Sequence, residues 1–165
     1  DATIVGQSLG AGKPERATGA TWSAVHLLLA YIFVVGLFFI TAPELALSLF
    51  IPEDSPDSSY HEVLSIGKHL MIIVVCYLFF DALYMVFSGV LKGAGDTRFL
   101  MWSVALCSLF CLILPLWTGI ELFARGIYYS WGCVLFFIFS LFTASSFRFS
   151  TGRWKTMLVI DSPKN

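Results

Sequence analysis

Residues 77–98 read YLFFDALYMVFSGVLKGAGDTR, and this stretch decides the fold. Ahead of its glycine-rich end it has one acidic residue, Asp81, with apolar residues on both sides. Apolar residues also dominate the sequence upstream, so Asp81 lies near the middle of a segment long enough to cross a bilayer. A carboxylate at that depth costs about 2.5–3.5 kcal/mol on insertion scales. We therefore expect Asp81 to face protein rather than lipid.

Three further polar residues flank Asp81 at helical spacing. Tyr77, Tyr84 and Ser88 lie four residues before, three after and seven after it, which places them on one face of a helix. We predict that Asp81, Tyr77, Tyr84 and Ser88 form a cation- and substrate-binding stripe. A sodium ion at Asp81 is the one metal ion we consider, and we predict no catalytic residue and no cofactor.

The composition is that of a membrane protein. Of 165 residues, 58% are hydrophobic and 13% are charged, against about 25% charged in ordinary soluble domains. The apolar residues come in runs too long for the core helices of a small soluble domain. No basic tract with interleaved aromatic residues suggests nucleic acid as a partner. The predicted fold class is all-α: a polytopic transmembrane helix bundle whose main partner is the lipid bilayer.

The chain divides into one predicted transmembrane domain, residues 1–160, and a polar cytoplasmic tail, residues 161–165. Residues 44–51 are amphipathic and are expected to lie at the membrane interface, and residues 52–61 form an acidic loop rich in turn residues. Pro115 is expected to bend or end the third span. The four predicted spans cover about residues 21–40, 64–91, 99–117 and 127–146.

The charged residues indicate the orientation. Residues 10–12 and 93–95 both read GAG, and we interpret each as a tight turn between helices. Alternating spans place both turns on the side where most of the basic residues lie, with residues 52–61 opposite. The positive-inside rule then makes the GAG turns cytoplasmic. The basic residues on this side are Lys13, Arg16, Lys92, Arg98, Arg148, Arg153, Lys155 and Lys164.

The sequence does not match the motifs of enzymes that we considered. Residues 6–19, GQSLGAGKPERATG, resemble a phosphate-binding loop, but Gln7 replaces its first glycine and Pro14 replaces its magnesium-binding Ser or Thr. No Ser-His-Asp set, HExxH motif or paired intramembrane carboxylates can be assembled, so we do not expect an enzyme. We expect the cysteines to be buried structural thiols rather than metal ligands. They are Cys76, Cys107, Cys111 and Cys133.

Three segments together resemble a known transporter family. They are VGQSLGAGKPERA at residues 5–17, FFDALYMVFSGVLKGAGDTRFLM at residues 79–101, and LPLW at residues 114–117. These segments are similar to the multidrug and toxic compound extrusion (MATE) transporters. The resemblance implies two six-helix lobes around a central cleft, of which this chain holds the last four of twelve helices. It also implies that the amino-terminal lobe lies upstream in a longer chain, while the polar ending DSPKN is expected to be a natural carboxyl terminus.

The resemblance also implies a function. Asp81 matches the aspartate that sodium-coupled members of the family carry on their tenth helix, in the cation-binding cavity of this lobe. Lys92 stands where an arginine is usual, which preserves the charge. The implied activity is export of small cationic amphiphilic compounds by alternating access, coupled to Na⁺ or H⁺. The implied location is a bacterial inner membrane.

Two other functions stay open at this point. One is a flippase for a lipid-linked oligosaccharide from the same broad superfamily, which would need a strongly cationic central cavity. The four spans offer no such interior charge. The other is a non-transporting subunit of a membrane assembly, which would tolerate substitution of Asp81 and show no substrate-dependent ion flux. Independently of these, Asp81 could be a structural acid bonded to a Tyr or Ser of a neighbouring helix.

Overall fold

The computed structural model describes residues 2–42, 45, 57–123 and 126–157, and within these ranges the regular structure is entirely helical. Four of the helices are long and apolar enough to cross a membrane: Pro14–Thr41, Ser65–Gly93, Thr97–Gly119 and Ile127–Ser150. The predicted class, an all-α transmembrane bundle with four spans, is confirmed. The helices are α1 (Ala2–Gly10), α2 (Pro14–Thr41), α3 (Asp57–Gly93), α4 (Thr97–Cys107), α5 (Leu114–Phe123) and α6 (Ile127–Ser150), with a π-helical turn at Ser108–Ile113 and a 3-10 turn at Arg153–Thr156.

Helix α3 is the centre of the bundle, because it packs against α1, α2, α4 and α6. Its buried residues recur every three or four positions, which is the period of one helix face. Most other apolar side chains of the spans stay exposed, as expected of surfaces that face lipid or further protein. The buried apolar side chains of α3 are Leu83, Val86, Phe87, Val90 and Leu91.

Two buried clusters hold the bundle together. The first lies at the end where α1, α3 and α6 finish, and we call it the turn-end cluster. It includes Trp154, which is 1% exposed, stacks on Phe149 at 5.2 Å and donates its indole N–H to the Phe149 carbonyl. The second cluster joins α2 and α3 near mid-span around Val25 and Phe87. The members of the turn-end cluster are Val5, Leu9, Ala17, Val90, Leu91, Ala94, Leu100 and Trp154.

The two GAG turns have the same backbone geometry. In the first, the N–H groups of Gly12 and Lys13 donate to the carbonyls of Leu9 and Ser8, at 2.9 and 2.8 Å. This pair of bonds is the Schellman motif, which requires a left-handed residue directly after the helix. Gly12 fills that position with φ 67°. The second turn repeats both bonds 83 residues later, with Gly95 at φ 84°. The expectation of two tight turns is therefore confirmed.

The predicted start of the helix that contains the second span is wrong, and so is one of the two effects expected of Pro115. Pro115 does not end the third span, because the helix continues to Phe123. A proline ring removes one backbone N–H and collides with the preceding turn of a regular α-helix. Here the turn before it is widened into the π-helical segment, where the Leu114 N–H donates to the Leu109 carbonyl, and the chain continues without a break. The predicted loop at residues 52–61 is also too long, because α3 begins at Asp57.

Two predicted segments lie outside the described residues, and the prediction for the cysteines needs correction. The interfacial segment 44–51, apart from Leu45, and the tail 161–165 lie outside the described residues. The expectation that all four cysteines are buried is wrong. Cys133 is buried and the thiols of Cys107 and Cys111 are half-buried, but Cys76 is exposed on the side of α3 that faces an apolar groove beside α2.

Candidate functional site

Asp81 lies in a cavity between α2 and α3, halfway along the spans. The cavity has a volume of about 270 Å³ and an almost wholly apolar lining. Its polar groups among the described residues are the Asp81 carboxylate and the Tyr31 phenol. The wall from α2 comprises Leu28, Tyr31, Ile32, Val35 and Gly36, and the wall from α3 comprises Val75, Leu78, Asp81, Ala82 and Met85.

The cavity exists because α2 and α3 touch above and below it. On one side, Val25 of α2 packs against Leu83 and Phe87 of α3. On the other side, Gly36 lets the helices approach closely: a Cβ at Gly36 would lie 3.1 Å from a methyl carbon of Val75. The stretch of α2 between these two contacts is held away from α3. The gap opens at the level of Asp81.

The Asp81 carboxylate is half-buried and has no fixed partner. Among the side chains that the structure describes, none forms a hydrogen bond or an ion pair with it. An anionic oxygen pair in an apolar gap, without a counter-charge of its own, favours a proton or a cation.

The structure separates the four residues of the predicted stripe. Tyr84 lines a different hollow, of about 420 Å³, between α3 and α4. Ser88 is only 3% exposed, and its hydroxyl donates to the Met85 carbonyl at 3.3 Å. Tyr77 is half-buried. Asp81 is thus the one member of the stripe that the structure places in the α2–α3 cavity.

Helix geometry explains this separation. Three residues turn a helix by 300°, so Tyr84 is rotated about 60° from Asp81, and α4 covers that side of α3. Ser88 is seven residues along, about 10.5 Å further down the axis. At that level α3 is buried in packed side chains and no gap remains. A shared helix face is therefore not a shared cavity when several helices surround the one that carries it.

Residues of α2 that the sequence did not single out complete the cavity. Tyr31 faces Asp81's cavity from the opposite helix and keeps 65% of its surface exposed. Leu28, Tyr31 and Val35 are spaced by three and four, as one face of a helix requires. That spacing was visible in the sequence, but only the position of Asp81 on the neighbouring helix shows which face matters.

A second acidic residue, Asp96, is bound in place. Its carboxylate accepts a hydrogen bond from the Arg148 guanidinium at 2.7 Å, and Asp96 is 8% exposed. The guanidinium also lies 5.0 Å from the centre of the Phe99 ring. This ion pair ties the start of α4 to the end of α6. From the sequence, Arg148 was only one of several basic residues, because the sequence does not show which acidic residue pairs with it.

Comparison with known proteins identifies similar sequences. A family profile described as MatE matches residues 2–117. The probable multidrug resistance protein NorM of Mesorhizobium japonicum is 29% identical over 94 residues, covering 57% of this chain and 20% of that protein. The multidrug resistance protein NorM of Burkholderia vietnamiensis is 33% identical over 94 residues, with the same two coverages.

A third relative has another name and a similar extent. The multidrug resistance protein MdtK of Yersinia pseudotuberculosis is 34% identical over 98 residues, covering 59% of this chain and 20% of that protein. The chain thus spans about a fifth of the length of these curated relatives. No solved structure matches the chain significantly.

Proposed function

Because the chain belongs to the multidrug and toxic compound extrusion family, we propose that the whole protein exports cationic amphiphilic compounds and that Asp81 binds the cation in this lobe. One observation carries the proposal. Asp81 is a mid-span carboxylate without a protein counter-charge among the described residues, and it lines a cavity that is otherwise almost wholly apolar. Such a group is most stable when a proton or a cation neutralises it.

The same physics supplies the coupling. A ligand shifts a conformational equilibrium only by the difference in its affinity for the two states. A proton or Na⁺ on Asp81 stabilises the state in which the site is closed off from water, and a cationic substrate displaces that ion. Inward- and outward-facing states then exchange around the site, as in other transporters built from repeated bundles. The proton needs one carboxylate, whereas Na⁺ needs further oxygen ligands from the rest of the protein.

The lining favours a particular class of substrate. Apolar side chains suit the body of an amphiphile, and Asp81 suits one positive charge. The Tyr31 ring offers a π-face to the same cation. A volume of about 270 Å³ lies just below that of pockets for drug-sized ligands, which is about 300–1,000 Å³. We infer that the remainder of the protein completes the substrate cavity.

The alternatives fit less well. A flippase that holds a pyrophosphate needs basic side chains in its cavity, and none of the described residues around Asp81 is Lys or Arg. A structural acid needs a bonded neighbour, and none of the described side chains bonds to Asp81. An assembly subunit predicts that Asp81 tolerates substitution, which the experiment below measures. The proposed location is a bacterial inner membrane with both GAG turns in the cytoplasm, and the charge distribution supports this orientation.

The test is export of a fluorescent cationic dye by proteoliposomes that contain the full-length protein. Asp81→Asn keeps the shape and removes the charge. A charge contact worth upward of about 1.4 kcal/mol then disappears, so dye affinity and ion-coupled export should fall at least about tenfold. Asp81→Glu should retain part of the activity. Glu15→Gln is the matched control, because it removes an exposed carboxylate outside the cavity.

The experiment separates the proposal from its rivals. Wild-type export with intact ion coupling in Asp81→Asn would show that the carboxylate is structural or dispensable. Equal loss in Asp81→Asn and Glu15→Gln would show a general effect of charge on the reconstituted protein. Either result would remove Asp81 from the mechanism.

A further inference from the structure

A second cavity, with a more polar lining, lies at the amino-terminal end of α2, away from Asp81. It has a volume of about 390 Å³ and is formed between α1 and the first turns of α2. Its polar lining comes from Gln7, Ser8, Lys13 and Arg16, and Ile4 and Ala20 contribute apolar surface. The proposed export mechanism uses none of these residues.

The GAG turn builds this cavity. The N–H of Lys13 donates to the Ser8 carbonyl at 2.8 Å, and the N–H of Ala11 donates to the Gln7 carbonyl at 3.0 Å. The N–H of Arg16 then donates to the Lys13 carbonyl at 3.2 Å. These bonds hold two amide or hydroxyl side chains at the end of α1 beside two cations at the start of α2. The polar groups are therefore positioned by backbone structure rather than gathered by chance.

The cavity is cationic. Lys13 and Arg16 are both exposed, and neither forms an ion pair within the part of the chain that the structure describes. Glu15, the acid between them in sequence, is exposed and does not line the cavity. Gln7 and Ser8 add neutral hydrogen-bond donors. Two cations with two donors match the oxygens of a phosphate group.

The depth of the cavity indicates where that phosphate comes from. Trp22 is 49% exposed and lies six residues after Arg16 on α2, about 9 Å along the helix axis. Exposed tryptophans on membrane helices sit at the interface between headgroups and hydrocarbon. The headgroup region on each side of a bilayer is about 5–8 Å thick. Arg16 thus lies near the outer edge of the headgroup region, and the long side chains of Arg16 and Lys13 reach back toward the lipid phosphates. The exposed side chain of Ile4 adds apolar surface beside them.

We propose that this cavity binds the phosphodiester of an anionic phospholipid. Lys13 and Arg16 hold the phosphate oxygens, and Gln7 and Ser8 bond to the headgroup. Ile4 and Ala20 contact the glycerol end of the acyl chains. The ligand is a lipid of the surrounding bilayer, so this proposal does not depend on which compound the protein exports.

Native mass spectrometry of the full-length protein in detergent tests this, with phosphatidylglycerol and phosphatidylcholine as probes. The wild type should bind one more tightly held phosphatidylglycerol than the double variant Lys13→Gln/Arg16→Gln. At this site the affinity should fall about fivefold or more when the cations are removed. Phosphatidylcholine binding should be the same in both proteins.

The matched control is Lys92→Gln/Arg98→Gln, which removes two exposed cations beside the second GAG turn. This variant should keep the wild-type number of bound phosphatidylglycerol molecules. Equal losses in the two double variants would mean that the whole basic end attracts anionic lipid diffusely, which overturns the proposed site. Single variants Lys13→Arg and Arg16→Lys should retain the lipid, because they keep the charge.

Inorganic phosphate distinguishes the two sources of the ligand. Phosphate at constant ionic strength should leave the bound phosphatidylglycerol in place, since it lacks the acyl chains that contact the apolar side. Displacement of the lipid by phosphate at low millimolar concentration, but not by chloride, would show that the cavity is a small-anion site. That result would overturn the lipid assignment.

Discussion

The two GAG turns have the same backbone geometry but differ in the side chains and helices that surround them. The turn at residues 10–12 is followed by Lys13, which is exposed and lines an open basic cavity. The turn at residues 93–95 is followed by Asp96, which is buried and paired with Arg148. Both turns end a helix with the same Schellman hydrogen bonds. The motif therefore determines how the chain reverses, and the residue after it determines what the turn attaches to.

The surroundings of the first glycine of each turn show the same contrast. A Cβ at Gly93 would collide with the Ala2 carbonyl oxygen, whereas a Cβ at Gly10 would meet nothing within 4 Å. Helix α1 crosses the end of α3 at Gly93, so the second turn is part of the turn-end cluster. It anchors α3, the helix that carries Asp81, to α1 and α6. The first turn leaves its surface free for a ligand.

The largest expected effect is at Gly93. Gly93→Ala forces backbone of α1 away from α3, and overpacking of this kind costs up to about 3 kcal/mol. Gly10→Ala should cost nothing and gain up to about 1 kcal/mol, because alanine favours the helix more than glycine does. The measurement is the free energy of unfolding of the full-length protein in mixed micelles.

The pair of variants contains its own control, since each replaces the first glycine of a GAG turn by the same residue. Equal stability of Gly93→Ala and Gly10→Ala would contradict the close crossing of α1 and α3. Destabilisation of both by the same amount would mean that the two turns have similar surroundings, contrary to the comparison.

The next effect is at the ion pair. Asp96→Asn leaves the half-buried Arg148 without its anion, and loss of a charged hydrogen bond costs about 2 kcal/mol. Removal of the single charge at the first turn, by Lys13→Gln, should change the free energy of unfolding by no more than about 0.5 kcal/mol, because the residue is exposed and unpaired among the described side chains.

A double-mutant cycle isolates the contact. Arg148→Gln combined with Asp96→Asn should destabilise the protein by less than the sum of the two single changes, because the second removes a bond that is already lost. Additive effects would show that the two side chains are not energetically coupled. The stability loss would then need another cause, such as the contact between Arg148 and Phe99.

Much of the fold was predictable from the sequence, because a membrane leaves the chain few options. Long apolar runs must be helices in lipid, and the GAG segments mark where two of them end. Boundaries were less predictable. Pro115 looked like a helix end, but a widened turn accommodates it, and such a turn has no signature in the residues themselves. The start of α3 at Asp57 was hidden by turn-forming residues.

The candidate site was predictable only in part. A carboxylate in the middle of a span is unusual enough to single out Asp81. The other residues of its stripe could not be assigned, because the neighbours of α3 decide whether a residue meets a cavity, a hollow or packed side chains. Tyr31 and the pairing of Asp96 with Arg148 depend on contacts between distant segments. No spacing along the chain records such contacts.

The smallest expected effect tests whether the two turns share the left-handed backbone conformation of their last glycine. Gly12 and Gly95 have φ angles of 67° and 84°, in the left-handed region. An alanine there costs about 1 kcal/mol through backbone strain alone. Gly12→Ala should show this cost, since a Cβ at Gly12 meets nothing within 4 Å. Gly95→Ala should cost at least as much, measured by the same unfolding titration. A Gly12→Ala protein as stable as the wild type would mean that the first turn relaxes in solution, and the Lys13 and Arg16 side chains would then lose the backbone that positions them together.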